Sequence, residues 1–283
     1  MNVGPTGGRL ENMERLYAVD IDDPTKISSS LVKLLESLGG ELVAWRRHGA
    51  TAGTWHGAQF KAEADMRAND FLVSGLASAT PGIPVVSEED ASFAVSRPKR
   101  YWLVDPIDGT ASWAGGFPGF VTQAALMESD EPVLAAIVAP ALGLTFTARR
   151  GHGAFLNGAP LAAGSRGASL RLIDNYPTPR GVAAAAMTGL GCTGYVECGS
   201  LALKMCRVVD GTADLFIKDV AVMDWDMAAP ALVVSEAGGC FLRLDGSPWR
   251  FDGPMGKFGG IVVTAEAAVA QRAIHWHAAG ARP

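Results

Sequence analysis

The carboxylates of this 283-residue chain gather at the ends of two predicted strands. Glu88 directly follows one β-type run, and Asp105 and Asp108 follow a second at residues 101–104. The turn around these aspartates contains a proline and Gly109, so the chain reverses and both side chains can point to one place. Such carboxylates repel each other unless a proton or a cation neutralises them. Hard oxygen ligands of this kind suit Mg²⁺, although Asp-Pro and Asp-Gly pairs also occur simply as turn formers.

A second acidic pair, Asp224 and Asp226, stands at the start of a helix predicted over residues 225–237. One of the two is a natural N-cap, and for a lone acid at a helix start capping is the commoner role. Together with the acidic strand ends, the pair also fits a cation site.

Three motifs then follow the order and spacing of a known family. The chain contains S-E-E-D at residues 87–90, W-L-V-D-P-I-D-G-T at 102–110 and W-D-M-A-A at 225–229. Weaker similarity extends from about residue 25 to residue 265. The chain therefore resembles the inositol monophosphatase superfamily, a group of Mg²⁺-dependent, lithium-sensitive phosphomonoesterases that includes the 3′(2′),5′-bisphosphate nucleotidases.

The resemblance implies an α+β fold, a layered α-β-α-β-α sandwich of the inositol monophosphatase and fructose-1,6-bisphosphatase type. It also implies two Mg²⁺ ions, with the active site between the two halves of the chain. Glu88, Asp105 and the carbonyl of Ile107 would bind the first ion. Asp105, Asp108 and Asp226 would bind the second, so that Asp105 bridges the pair.

For the reaction, the resemblance implies attack by a metal-activated water without a covalent intermediate. Thr110, hydrogen-bonded to Glu88, would orient and deprotonate this water, which makes Glu88, Thr110 and Asp105 the expected catalytic residues. Backbone N–H groups of the turn would hold the phosphate, and residues of the second half would contact the rest of the substrate. The expected substrate contacts are Asp108, Gly109, Thr110, Gly199, Ser200, Asp219 and Asp226.

One segment departs from the family pattern. Residues 42–62 contain no acidic residue, and Ala62 replaces the usual threonine. In the family an acid in this loop often helps to hold a third Mg²⁺, to which Asp65 could still contribute through a water. The number of ions, two or three, therefore stays open.

Three functions remain at this stage. The first is hydrolysis of a small phosphate ester, such as an inositol monophosphate-like polyol or a sugar phosphate. The second is hydrolysis of a 3′(2′),5′-bisphosphate nucleotide. The third is an inactive relative that serves as a regulatory binding protein, although every expected ligand carboxylate is present.

The composition of the chain limits the kinds of binding partner that we expect. The chain has 24 basic and 29 acidic residues, a net charge of −5, which argues against a nucleic-acid surface that neutralises phosphates. Its longest apolar stretch is broken by proline and glycine, so we expect no membrane span. Without a signal-peptide pattern, a cytoplasmic location is expected. The partner is then a small phosphate ester, and the family is often homodimeric.

Periodicity predicts how the chain is organised. Residues 1–22 form a loose tail, residues 23–168 an α+β half with the metal motifs, and residues 169–283 an α/β half that closes the site. Leucines at 3.6-residue spacing predict a helix over 24–47. A loop at residues 48–59 and a second helix from about residue 62 to 79 follow.

Overall fold

The computed structural model describes residues 23–56, 59–90, 97–164 and 169–280, so the predicted tail lies outside the described residues. Helix α1 (Pro24–Arg47) begins where Asp23 accepts hydrogen bonds from two backbone N–H groups of the first turn. Proline at the first position suits this cap, because its missing N–H would have had no partner in the helix. Its regularly spaced leucines are buried, which confirms the predicted helix.

The segment predicted as a loop contains a hairpin instead. Strand β1 (Gly53–His56) pairs antiparallel with β2 (Gln59–Ala62), and helix α2 (Glu63–Ala79) follows without a break. The loop prediction was wrong for these residues because their glycine and alanine content resembles a loop. Pairing between the strands, which composition does not reveal, makes them extended.

A seven-stranded sheet carries the acidic strand end. Its strand order is the chain order, with the first two strands parallel and every later neighbouring pair antiparallel. The strands are β3 (Val85–Ser87), β4 (Arg100–Asp108), β5 (Val121–Glu128), β6 (Glu131–Ala139), β7 (Leu144–Arg149), β8 (Ala154–Leu156) and β9 (Ala159–Leu161). The short helix α3 (Thr110–Ala114) lies between β4 and β5.

After β9 the chain moves to a five-stranded mixed sheet of order β11-β10-β12-β16-β14. Its strands are β10 (Leu170–Asp174), β11 (Cys192–Glu197), β12 (Leu215–Lys218), β14 (Cys240–Arg243) and β16 (Ile261–Thr264). A two-stranded pair joins β13 (Val222–Met223) and β15 (Gly256–Lys257). The helices are α4 (Gly181–Gly189), α5 (Leu201–Val209), α6 (Asp224–Glu236) and α7 (Ala267–Ala278).

These elements stack as five layers, which confirms the predicted α-β-α-β-α sandwich. Along β4, alternate side chains point to opposite faces: Trp102 packs with α1 and α2, and Leu103 packs on the other side with α5 and α6. The helices α5 and α6 also cover the inner face of the five-stranded sheet, at Phe216 for example. The outer face of that sheet packs against α4 and α7. Within the described ranges, no helix is both long and apolar enough to cross a membrane.

Leu38 tests the packing of α1 on the first sheet, because its side chain is fully buried. Leu38→Ala should lower the free energy of unfolding by about 3 kcal/mol, since the lost contacts leave a cavity. Urea unfolding followed by circular dichroism measures this. Leu142→Ala removes a leucine that is 42% exposed and should change stability by less than about 0.5 kcal/mol. If both variants lost the same free energy of unfolding, the packing of α1 against the first sheet would be contradicted.

Candidate active site

An irregularity in the sheet turns two carboxylates to one side. Asp105 pairs with Gln123 and Asp108 with Val121, so three steps along β4 oppose only two along β5. Residues three apart in a regular strand face opposite sides of a sheet, and the extra residue of a bulge restores the same side. As a result, single oxygens of Asp105, Asp108 and Asp226 lie within 4.8 Å of one another.

Asp226 and Asp65 reach the site from equivalent positions on two helices. Each is the third residue of its helix and accepts a hydrogen bond from the backbone N–H of the preceding cap residue, at 2.9 Å from Met223 and 2.7 Å from Ala62. The helix dipole favours a carboxylate in this first turn. The expectation that Asp224 or Asp226 would itself be the N-cap is wrong, because Met223 occupies that position.

The carboxylates perturb one another strongly. Burial raises the pKa of Glu88 to about 7; the Lys61 ammonium opposes this rise, and the neighbouring acids add to it. Burial, followed by the charges of Glu88, Asp108 and Asp226, raises the pKa of Asp105 well above its usual range. The pKa of Asp226 is also raised well above its usual range, by burial first and Asp108 next.

This donor set fits a divalent cation. Asp105 is 1% and Asp108 7% exposed, and buried carboxylates of like charge are stable in ionised form only with a compensating cation. All three groups of the triad offer hard oxygen atoms, which is the donor chemistry that Mg²⁺ prefers.

Thr110 differs from its predicted contact. Its hydroxyl lies 3.2 Å from Asp65 Oδ1 and 3.0 Å from the carbonyl oxygen of Ile107, whereas the resemblance implies a hydrogen bond to Glu88. The reason is that Thr110 starts α3 facing the first turn of α2, while Glu88 lies beside Lys61. Burial raises the pKa of Asp65 to about 6, and its hydrogen bonds from Ala62 and Thr110 oppose that rise.

Asp108 connects the two halves of the chain. Its carboxylate accepts hydrogen bonds from the Ser200 hydroxyl at 2.5 Å and from the backbone N–H groups of Leu201 at 3.1 Å and Ala202 at 2.7 Å. These are otherwise unpaired donors at the N-terminus of α5. The acidic strand end of the first sheet is thereby fixed to a helix of the second half.

Two glycines allow this close approach. Gly109 has a φ of 88°, a left-handed conformation that strains other residues. A Cβ at Gly199 would lie 2.2 Å from the carbonyl oxygen of Gly119, so a side chain there would push the two segments apart. Both glycines are predicted substrate contacts. In the structure, the segment that contains Gly109 lies against the segment that contains Gly199.

Two lysines next to the carboxylates were missed by sequence reasoning. Lys204 on α5 is buried, with its ammonium donating to the Asn175 side chain and, at 3.0 Å, to the Gly199 carbonyl. Burial lowers its pKa to about 8. On the other side, Lys61 Nζ lies 2.6 Å from Glu89 Oε1 and 3.5 Å from Glu88 Oε1. Only a lone lysine inside the apolar run of residues 201–206 gave a signal for the first of them.

Asp224 has a structural role that the sequence did not show. Its fully buried carboxylate accepts from Arg97, from Lys257 and, at 3.3 Å, from the indole of Trp249. Arg97 also donates to the carbonyl of Phe251, so the segment before β4 is joined to the start of α6. The cluster therefore fixes the helix that carries Asp226.

Cations and aromatic rings also collect where β10 and β12 end. The Arg180 guanidinium lies 4.4 Å from the ring centre of Tyr176, and the Lys218 ammonium lies 5.8 Å from the same ring. Lys218 also pairs with Asp174 at 2.9 Å. Asp219, a predicted substrate contact, is exposed directly after β12, and no hydrogen bond in the described part of the chain ties it to the carboxylates.

The inositol monophosphatase family model matches residues 31–279. This chain therefore belongs to the inositol monophosphatase family, a family of phosphatases, as its motifs predicted. The fold agrees: the native crystal structure of extragenic suppressor protein suhB from Bartonella henselae superposes with a TM-score of 0.74 at 26% identity, covering 86% of this chain and 96% of that one.

The names of similar proteins refer to different substrates. The chain is 27% identical to the 3′(2′),5′-bisphosphate nucleotidase CysQ of Aggregatibacter actinomycetemcomitans over 81% of this chain and 88% of that protein. It is 35% identical to the histidinol-phosphatase of Streptomyces coelicolor over 68% of this chain and 76% of that protein. Members of the same family are thus named for different phosphate esters.

The raised pKa values predict how stability depends on pH without metal. Folded Asp65 and Glu88 titrate at about 6 and 7, above the ordinary values of 3.8 and 4.5, so the folded state keeps protons that the unfolded chain has lost. The free energy of unfolding should therefore fall as pH rises from about 4 to 8. Urea titrations in EDTA at pH 5 and pH 8 measure the fall.

Asp105→Asn removes one of the repelling carboxylates, so its metal-free stability at pH 8 should equal or exceed that of the wild type. Added Mg²⁺ should stabilise the wild type at pH 8 more than this variant. Glu131→Gln, at an exposed side chain, is the control and should follow the wild type. If the metal-free free energy of unfolding of the wild type rose between pH 5 and pH 8, the convergence of carboxylates at this site would be contradicted.

Proposed function

We propose that this protein is a Mg²⁺-dependent phosphomonoesterase that hydrolyses a small phosphate ester, such as an inositol monophosphate-like polyol or a sugar phosphate. The triad of Asp105, Asp108 and Asp226 carries the proposal, because its convergent oxygens, two of the three carboxylates being buried, need a hard cation. Membership in a phosphatase family supports the same reaction.

Glu88, Asp105 and the Ile107 carbonyl would hold one ion, and Asp105, Asp108 and Asp226 a second. When bound there, Mg²⁺ would lower the pKa of a water and neutralise charge on the departing alkoxide. No covalent intermediate is needed.

The protein groups supply orientation and a base. Thr110 donates to Asp65, which leaves a lone pair of its hydroxyl oxygen to accept a hydrogen bond from the attacking water. The water proton can pass to Thr110 Oγ1 while the Thr110 proton passes to Asp65. This carboxylate already accepts the Thr110 hydrogen bond, so it stands where it can take that proton.

The substrate is held by groups from both halves in this proposal. The N–H groups of Gly109 and Thr110 cradle the phosphate, and Gly199, Ser200 and Asp219 contact the alcohol part. Because Ser200 already donates to Asp108, a contact with substrate would use its hydroxyl oxygen as an acceptor.

A second candidate is a 3′(2′),5′-bisphosphate nucleotidase. Arg180 and Lys218 around the exposed ring of Tyr176 favour it, since cations beside an aromatic face suit a second phosphate and a stacked base. The similarity to CysQ supports the same substrate. The remaining candidate is a regulatory binding protein without turnover.

Phosphate release tests the proposal on inositol 1-phosphate, adenosine 3′,5′-bisphosphate, fructose 1,6-bisphosphate and histidinol phosphate. Each is measured with Mg²⁺, with EDTA and with added Li⁺. We expect turnover that needs Mg²⁺ and is inhibited by Li⁺, with a polyol or sugar phosphate preferred. Preference for the nucleotide selects the second candidate, and absence of turnover with Mg²⁺ on every ester favours a binding role.

Arg180→Ala separates the two enzyme candidates. If a second phosphate contacts Arg180, the KM for adenosine 3′,5′-bisphosphate should rise about tenfold, the loss of one charged hydrogen bond. The KM for inositol 1-phosphate should stay unchanged. Arg150→Ala, at an exposed arginine remote in sequence, is the control. An equal rise for both substrates would argue against a nucleotide-specific contact.

A further inference from the structure

Lys61 is placed against the carboxylate cluster by the β1–β2 hairpin. It is the penultimate residue of β2, and the backbone turns directly into α2 after Ala62. Its ammonium lies within hydrogen-bond distance of Glu89 Oε1 at 2.6 Å and within ion-pair distance of Glu88 Oε1 at 3.5 Å. A long flexible side chain is therefore held at the metal site rather than in solvent.

The partners of Lys61 are themselves shielded from water. The side chain of Glu88 is 18% exposed and that of Glu89 9% exposed, compared with 33% for Lys61. Asp65 is close enough for its charge to act on the same ammonium. Three carboxylates thus converge on one positive charge, so the contact is stronger than an exposed ion pair.

The charges of the cluster are consistent with two divalent ions. Six carboxylates belong to it: Asp65, Glu88, Glu89, Asp105, Asp108 and Asp226. Two divalent ions and the ammonium groups of Lys61 and Lys204 would together match these negative charges. Lys204 acts on Asp226 at the inner end, and Lys61 acts at the outer end. A further divalent ion beside Lys61 would meet a positive charge where it needs a ligand.

We propose that Lys61 is a resident cation of this site: its ammonium takes the place of a divalent ion at the Glu88–Glu89–Asp65 end and limits the number of ions bound. The inference rests on the proposed metal-dependent function. An ammonium group neutralises these carboxylates but is not a Lewis acid, so it cannot coordinate a water and lower the pKa of that water as a divalent ion does. It therefore stabilises the arrangement of Glu88 without adding a reactive centre.

Counting bound ions tests the proposal without relying on activity. Mg²⁺ binding is measured at pH 7.5 by isothermal titration calorimetry, and Mn²⁺ binding by equilibrium dialysis, on the full chain. Lys61→Met should bind one more divalent ion per chain than the wild type, and Lys61→Gln should do the same. Lys61→Arg keeps the charge and should bind the wild-type number.

Lys33→Met is the matched control, because Lys33 is an exposed lysine of α1 and its variant should keep the wild-type number. Thermal unfolding of every variant checks the fold, and the two neutral variants keep the test valid if one of them is unstable. An unchanged or smaller number of ions in the neutral variants overturns the inference, even if their affinity changes.

The failure of this inference differs from failure of the proposed function. If the wild type binds Mg²⁺ and releases phosphate while the neutral variants bind the wild-type number of ions, only the role of Lys61 is wrong. If the wild type binds no divalent ion, the metal-dependent function and the role of Lys61 are both wrong.

Discussion

The site depends on holding several carboxylates of like charge close together in a buried place. Asp105 is 1% exposed, and oxygens of Asp105, Asp108 and Asp226 lie within 4.8 Å of one another. Repulsion of this kind opposes folding unless protons or cations compensate it. The surrounding structure supplies what holds the groups in place: a bulge in β4, first-turn positions on two helices, and backbone donors at the start of α5.

These supports also determine how the halves fit together. Asp108 ends a strand of the first sheet and accepts hydrogen bonds from the N-terminus of α5, while Arg97 reaches the buried Asp224 at the start of α6. Both contacts join segments more than ninety residues apart in sequence. The geometry of the carboxylate cluster is therefore set by packing between the halves rather than by either half alone.

The sequence predicted the parts of the fold and site that depend on local patterns. Leucine spacing predicted α1 correctly. The convergence of Asp105 and Asp108 was also predicted, but for the wrong reason: the chain does not reverse between them, since both lie in β4 and a shift in its pairing with β5 brings them to one side. The sequence did not predict the position of Lys61 beside the carboxylates. The hairpin that carries this lysine forms by pairing between two strands, and the composition of those strands resembles that of a loop. The sequence also did not predict that Arg97 and Lys257 pair with Asp224, because one precedes Asp224 and the other follows it at distant positions in the chain.

The net charge of −5 says little about what the site can bind, because local cations and bound metal decide the field there. An anionic phosphate ester can approach a cluster of acids only where positive charge exceeds negative charge. In this chain the ammonium groups of Lys61 and Lys204 lie at opposite ends of the cluster and already offset part of its charge. The fewer negative charges that remain for metal ions to neutralise, the fewer ions are needed to make the centre attractive to phosphate. In the proposed function, the choice of substrate then depends on the second half, where Arg180 and Lys218 lie beside the ring of Tyr176.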